Sequence, residues 1–195
     1  MEYPPVIYTV GHSTRPVDAF IALLAAHDVT GLADVRTVPR SRHNPQFNGA
    51  TLAASLAGAG IAYRQFPGLG GFRRAFPQSV NAGWRNASFR GYADYMQTPA
   101  FDAQLAELLG FAAERTVAVM CAEAVPWRCH RSLIADALSV RGVRAEEIVS
   151  ETKTRIHEVT PFARVDGTSI TYPPREGAAT IRMDESSGQH EKETR

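Results

Sequence analysis

The chain of 195 residues contains only two cysteines and no apolar run approaching the roughly 20 residues of a membrane-spanning helix. Two cysteines are too few for the disulfide framework of a small secreted domain. The opening residues, MEYPPVIYTVGHS, lack the basic segment that precedes the apolar part of a signal peptide. We therefore expect a cytoplasmic protein with reduced thiols and no membrane partner.

Acidic residues are absent between Asp34 and Asp94, although the whole chain has 21 basic and 20 acidic side chains and a net charge of +1. The arginines in this span are Arg36, Arg40, Arg42, Arg64, Arg73, Arg74, Arg85 and Arg90. Arginines without compensating acids create a local positive field that favours an anionic ligand. The alternative is a solvated basic surface that binds nothing.

Strand-like and helix-like segments alternate along the first two thirds of the chain. Short β-branched or apolar runs predict strands over residues 6–10, 31–35, 61–66, 116–121 and 145–150. Apolar residues at helical spacing predict helices over residues 15–29, 49–61, 98–114 and 126–141. This alternation predicts a three-layer α/β domain with a parallel sheet of about five strands. An incomplete β/α barrel is the alternative architecture.

We expect a single domain over residues 1–172. Residues 162–172 predict a small hairpin that turns at Asp166–Gly167. Residues 173–195 are polar and charged, which predicts a disordered tail. Residues 67–90 contain many Gly and Pro without periodicity, which predicts a binding loop or lid.

Polar residues follow three of the predicted strands. GHST comes after the first strand, DVRTVPRSRHN after the second, and CAEAVPWRCHRS at the end of the fourth. Ligands bind beyond the carboxyl ends of the strands in open α/β sheets. We therefore expect the side chains after these strands to converge on one site, namely His12, Asp34, Arg36, Cys121 and Glu123.

Two thiols and a carboxylate are the candidate catalytic groups. We expect Cys129 in or near the first turn of a helix, where the helix dipole and nearby arginines would lower its thiol pKa. Cys121, at the end of an apolar strand, is either a second reactive thiol or a small buried hydrophobe. Glu123 is either a general acid or base, or the ion-pair partner of Arg128 or Arg131.

Asp34 and His12 also have two interpretations each. Asp34 is either a catalytic carboxylate or the partner that orients Arg36. His12 is either a proton carrier or a cap for the following helix. Ser13 offers a hydroxyl near the same helix N-terminus, where an anion would be well placed.

The residues expected to hold the anion are arginines. Arg40 and Arg42 flank Ser41, and guanidinium groups bind phosphate or carboxylate through two parallel hydrogen bonds. We expect Arg36, Arg42 and Arg131 to hold the ligand. No metal ion or other cofactor is predicted, because C-x2-C and H-x3-H spacings are absent. The residues that a metal would use are Cys121, Cys129, His130 and His12.

The motifs TVGHS, DVRTVPRSRHNPQF, GIAYRQFPGLGG, YADYM and MCAEAVPWRCHRSLIA occur in this order over about residues 6–150. In this order they resemble the domain-of-unknown-function 488 family of bacteria and archaea. The resemblance implies that its motif positions form one site, and it implies no activity. These positions are Asp34, Arg36, Ser41, Arg42, Gly70, Gly71, Cys121, Glu123, Cys129, His130 and Arg131.

These features predict an enzyme-like domain that binds a small phosphorylated or nucleotide-like anion at the strand ends. Its chemistry would be that of a hydrolase or transferase, with cysteine and glutamate as the reacting groups. The alternative is a non-catalytic domain that binds single-stranded nucleic acid through the arginines and aromatic residues of the block 36–90. The sequence predicts no oligomeric state.

Overall fold

The computed structural model describes residues 6–174 and contains a six-stranded sheet with helices on both faces. The strands of the sheet are β1 (Ile7–Gly11), β2 (Gly31–Asp34), β3 (Ala62–Gln65), β4 (Val117–Cys121), β5 (Ala145–Ser150) and β6 (Lys153–Ile156). The helices are α1 (Val17–Ala25), α2 (Gly49–Gly58), α3 (Ala87–Tyr95), α4 (Pro99–Ala112) and α5 (Arg131–Ser139). A hairpin of β7 (Arg164–Asp166) and β8 (Ser169–Thr171) follows the sheet.

The strand order is β3-β2-β4-β1-β5-β6, and all neighbours except β5 and β6 are parallel. Phe20 of α1 and Leu52 of α2 pack in one core cluster. Leu105 of α4 and Leu133 of α5 pack in the other cluster, on the opposite face. The chain therefore leaves the neighbouring strands β1 and β4 toward opposite faces of the sheet. This arrangement opens a crevice at the carboxyl ends of these strands.

The predicted α/β class is confirmed, with five parallel strands, helices on both faces and a hairpin within residues 162–172. The sheet ends in the edge strands β3 and β6, so it is open and is not the barrel considered as an alternative. Strand β6 was not predicted, because its sequence KTRI is largely exposed and pairs on one side only. Of the tail predicted over residues 173–195, residues 175–195 lie outside the described residues.

Helix α3 was also missed, because it begins inside the segment 67–90. Its N-terminus is capped by the Asn86 side chain, which accepts a hydrogen bond from the Ser88 N–H at 2.8 Å. Gly91 weakens the helical pattern in the sequence, but a Cβ there would lie 2.3 Å from the Arg73 carbonyl oxygen. The loop therefore packs directly on the helix. Buried Asp94 also holds this loop, through bonds from the Phe76 N–H and from the side chains of Ser79 and Asn81.

No helix within residues 6–174 is long and apolar enough to span a membrane.

The end of β1 lies unusually close to the segment that follows β4. The His12 N–H donates to the Cys121 carbonyl oxygen at 3.0 Å, so the pairing of the two strands continues past their ends. A Cβ on Gly11 would lie 2.1 Å from the Glu123 carbonyl oxygen. Only glycine fits at this position, because the obstructing atom belongs to the backbone.

We predict that Gly11→Ala lowers the free energy of unfolding by about 2 to 3 kcal/mol, because the backbone must shift to accept the methyl group. The matched control is Gly110→Ala in α4, where a Cβ has no atom within 4 Å. This change should raise stability by up to about 1 kcal/mol through helix propensity. Urea unfolding measures both values. A Gly11→Ala protein as stable as wild type would show that the close contact does not constrain the fold.

Candidate active site

A cavity of about 720 Å³ opens at the carboxyl ends of β1, β2 and β4. The sequence-predicted residues that line it are His12, Ser13, Arg36, Ser41, Gly71, Cys121, Glu123, Cys129 and His130. The predicted residues Asp34, Arg42, Gly70 and Arg131 are not part of its lining. Residues that the sequence did not single out for the site also line it, among them Arg128, Phe72 and Phe89.

Asp34 and Arg36 form a buried ion pair at the cavity wall. Arg36 donates from Nε to Asp34 Oδ1 at 2.8 Å and from Nη2 to Oδ2 at 2.5 Å. The Tyr63 hydroxyl donates to Oδ2 at 2.8 Å, and burial together with this carboxylate raises the pKa of Tyr63. Asp34 is fully buried and its oxygens are occupied, so the geometry favours its role as the partner that orients Arg36.

His12 uses both of its ring nitrogens within the fold. Its Nδ1 lies 2.8 Å from the Ser13 carbonyl oxygen, and its Nε2 lies 3.3 Å from Arg36 Nη1. The ring stacks on Phe47 with centroids 4.1 Å apart, and burial lowers the His12 pKa to about 4. His12 is therefore neutral at pH 7 and holds Arg36. It does not cap α1, because Pro16 holds the N-cap position and both ring nitrogens of His12 contact other groups.

Cys121, Cys129 and His130 lie together, with their potential ligand atoms all within 4.8 Å of one another. The Cys121 thiol lies within 4.8 Å of the Cys129 sulfur and can donate a hydrogen bond to a thiolate there. This bond, with a further contribution from the positive charge of Arg131, lowers the pKa of Cys129 to about 6, although burial opposes the shift. The same bond and burial raise the pKa of Cys121. Of the two thiols, Cys129 is therefore the one whose ionisation the site favours.

His130 is oriented by the backbone of the neighbouring strand. Its Nε2 lies 3.2 Å from the Val35 carbonyl oxygen, while its Nδ1 lies 3.7 Å from the Cys129 sulfur. Burial lowers the pKa of His130, so the ring is neutral. Together, the sulfurs of Cys121 and Cys129 and a ring nitrogen of His130 could hold a metal ion. His12 is not available as a fourth ligand, because its two nitrogens are already in use.

Cys129 was predicted in or near the first turn of a helix, and it lies two residues before the start of α5. Pro126–Arg128 form a short 3-10 turn, Cys129 is extended (φ −131°, ψ 143°), and α5 begins only at Arg131. The pKa of this thiol is therefore lowered chiefly by a hydrogen bond from another thiol and by a guanidinium.

Arg131 is fully buried and has no carboxylate partner among the described residues. Its Nη2 donates to the Glu123 carbonyl oxygen at 2.6 Å. Its Nε and Nη1 have no hydrogen-bond partner within residues 6–174. The predicted ion pair with the Glu123 carboxylate is not formed, because that side chain is exposed and accepts instead from the Val125 N–H at 3.3 Å. A thiolate on the nearby Cys129, whose pKa Arg131 lowers, would balance this charge.

Several arginines of the acid-free span are already engaged in the fold. Arg36 pairs with Asp34, Arg64 pairs with Glu107, and the Arg73 guanidinium lies 3.7 Å from the centroid of the Tyr95 ring. Arg40 and Arg128, by contrast, are exposed at the cavity and form no salt bridge with any described residue. These two cations are therefore available to an anionic ligand.

Residues 16–138 match the family model described as "Domain of unknown function DUF488". The match covers more than half of the chain and includes Arg36, Cys121 and Cys129. No curated protein and no solved structure matches the chain.

We predict that Cys129 reacts with iodoacetamide at a rate that rises as the pH increases through about 6, because only the thiolate reacts. Cys121→Ala should move this midpoint upward, toward the value of about 8.5 of an ordinary thiol, because the stabilising hydrogen bond is lost. Mass spectrometry of the alkylated protein measures the rate, and Cys129→Ser is the control for the site of reaction. A wild-type midpoint above about 8 would contradict the assignment.

Proposed function

The chain belongs to the DUF488 family, whose description names no activity, and we propose its function from the site itself. We propose that the protein is a thiol-dependent hydrolase in which Cys129 attacks a small phosphorylated or nucleotide-like anion. The observation that carries this proposal is the Cys129 sulfur at the cavity, held beside the Cys121 thiol and the buried charge of Arg131. A thiolate at neutral pH is the form that acts as a nucleophile.

The first step forms a covalent intermediate on Cys129. Its sulfur uses one electron pair to bond to the phosphorus of the substrate. The bond from phosphorus to the leaving oxygen breaks, its electron pair goes to that oxygen, and the oxygen takes a proton from water in the cavity. Cys121 remains protonated throughout, and its hydrogen bond to the Cys129 sulfur weakens as that sulfur loses its negative charge.

The second step returns the enzyme to its starting state, with Glu123 as the general base. The Glu123 carboxylate is exposed at the cavity and has no ion-pair partner among the described residues. It removes a proton from a water molecule, whose oxygen bonds to phosphorus while the sulfur–phosphorus bond breaks. The sulfur leaves with the electron pair, and its low pKa makes it a good leaving group. Glu123 then gives its proton to the hydroxide that the first step left in the cavity, which restores the carboxylate and the water.

Arg40 and Arg128 would bind the anionic group of the substrate, because guanidinium groups match phosphate oxygens geometrically. Arg36 lines the same cavity but is fixed by Asp34, His12 and the Phe47 carbonyl oxygen, so it would act as a rigid contact. Phe72 is 85% exposed at the cavity and offers an apolar surface on which a nucleobase could stack.

The alternative, a non-catalytic domain for single-stranded nucleic acid, has weaker support. Stacking platforms for bases require exposed aromatic rings beside free cations. In the block 36–90, Phe66 is buried in the core, and Arg73 is held by backbone carbonyls and the Tyr95 ring. Phe72 and Phe76 are the aromatic rings of this block that are more than half exposed.

We predict that the protein releases nitrophenolate from p-nitrophenyl phosphate or from thymidine 5′-p-nitrophenyl phosphate. Cys129→Ser should lower the rate about 100-fold or more, because the nucleophile is lost. Glu123→Gln should slow turnover by about 10² while preserving an initial burst, because only the second step needs the base. The burst should coincide with a phosphoryl or nucleotidyl mass increase on Cys129. Glu114→Gln removes the same charge outside the cavity and should leave the rate unchanged.

Two results would overturn the proposal. One is wild-type protein that hydrolyses neither ester, and the other is Cys129→Ser protein that retains the wild-type rate. A labelled single-stranded oligonucleotide separates the alternative from the hydrolase. Binding that weakens steeply with salt and survives in Cys129→Ser with Glu123→Gln, without ester hydrolysis by the wild type, would favour the nucleic-acid domain.

A further inference from the structure

A second cavity, of about 460 Å³, lies beside the N-terminal end of α5 and the segment 155–162. It shares no lining residue with the cavity that contains the thiols. Arg131 forms part of its lining at α5, and Trp84 forms part of its lining from the loop before α3. The two cavities are therefore separate sites on one domain, with Arg131 in the lining of the second and its charge close to Cys129 in the first.

The unpartnered buried donors of the fold belong to residues of this cavity. Within residues 6–174, the buried side-chain nitrogen and oxygen atoms without a hydrogen-bond partner are Trp84 Nε1, Arg131 Nε and Arg131 Nη1. Buried polar groups are nearly always paired, because an unpaired group costs about 1–3 kcal/mol. All three atoms are N–H donors, so a ligand that satisfied them would bring acceptors.

The acidic groups around Arg131 leave its Nε and Nη1 donors without an acceptor. Arg131 is fully buried, and no described carboxylate pairs with it. Glu147 and Glu158 also line the cavity; Glu147 forms an ion pair with Arg155, and Glu158 is exposed and forms no ion pair with Arg131. Asp136 lies near but already accepts hydrogen bonds from the side chains of His157, Thr160 and Tyr172. The Cys129 sulfur can balance the charge of Arg131 from the other cavity, but the Nε and Nη1 donors still lack acceptors, which a ligand would supply.

The walls of the cavity favour an apolar body on that ligand. They include the side chains of Pro126, Trp127, Ile156, Pro161 and Phe162 as well as the Trp84 ring. A single guanidinium edge suits the two oxygens of one carboxylate. A phosphate dianion suits the cavity less well, because a single buried cation would leave part of its charge uncompensated within mostly apolar walls.

We propose that this second cavity binds a small carboxylate with an aromatic or aliphatic body. One carboxylate oxygen accepts from the Trp84 Nε1–H, and the carboxylate pairs with the Nε and Nη1 edge of Arg131. The apolar body packs between Trp127 and Phe162. The proposal does not rest on the hydrolase activity, because its evidence is the lining and the unpartnered donors of this cavity.

The test uses the two tryptophans of the chain, Trp84 and Trp127, which both line the cavity. The whole protein is labelled with ¹⁵N and titrated with benzoate, and the two indole N–H signals are followed by NMR. Trp127→Phe assigns the signals. We expect the Trp84 signal to move downfield to saturation, because its proton gains a charged acceptor. Benzyl alcohol, which has the same ring and no charge, should produce no such shift.

Two tryptophan variants distinguish the contribution of the Trp84 N–H donor to benzoate affinity from the contribution of an aromatic ring. Trp84→Phe keeps an aromatic ring against Phe162 and Tyr172 but removes the donor. It should weaken benzoate binding about tenfold, corresponding to one hydrogen bond to a charged group. Trp127→Phe should change the affinity less than about twofold, because it removes no orphan donor. Benzoate binding to Trp84→Phe protein is followed by isothermal calorimetry.

Any of three results would overturn the proposal: no saturable movement of the Trp84 signal in wild-type protein, an equal movement with benzyl alcohol, or tighter binding of inorganic phosphate than of benzoate. The first of these uses unaltered protein, so it does not depend on whether the variants fold. A negative benzoate titration would not contradict the proposed ester hydrolysis by Cys129. A negative hydrolysis assay would likewise not change how the benzoate titration is interpreted.

Discussion

The buried positive charge of Arg131 is the constraint around which the candidate site is organised. Removing a guanidinium from water costs several kcal/mol unless an anion and hydrogen bonds compensate. Arg131 has one strong hydrogen bond, to the Glu123 carbonyl oxygen, and no carboxylate partner among the described residues. The nearby group that can supply an anion is the Cys129 sulfur, whose ionisation Cys121 and Arg131 both favour. The charge that would make Cys129 a nucleophile is therefore also the charge that would compensate the burial of Arg131.

A second set of contacts holds the opposite wall of the cavity. Asp34, Arg36 and His12 form a buried chain of hydrogen bonds between the ends of β2 and β1, and Tyr63 of β3 joins it. The parallel sheet places these strand ends at one edge, and the close approach at Gly11 fixes the distance between the loops after β1 and β4. The cavity thus has rigid walls on the sheet, while the exposed groups Glu123, Arg40 and Arg128 stand at its opening.

The sequence predicted the class of fold and the edge that carries the site, because periodicity is a local signal and parallel strands end at one edge. The roles of Asp34 and His12 depended on Tyr63 and Phe47, which no local pattern connects to them. Arg40 lines the cavity and Arg42 does not, since the direction of side chains in an irregular loop cannot be read from spacing. Helix α3 could have been found from Asn86 as its N-cap, whereas the cavity at Trp84 and Arg131 joins residues far apart in the chain.

A double-mutant cycle between Cys129 and Arg131 tests the charge balance most directly. The pKa of Cys129 is lower in the folded protein than in the unfolded chain, so the thiolate stabilises the fold above about pH 9, and this contribution is lost as the pH falls through about 6. At pH 9, Cys129→Ala and Arg131→Met should each destabilise the protein, and the double variant should recover about 2 kcal/mol or more of the summed loss. At pH 5 this coupling should largely vanish. The account would be contradicted if, at both pH values, the stability losses of the two single variants summed to that of the double variant within about 0.5 kcal/mol.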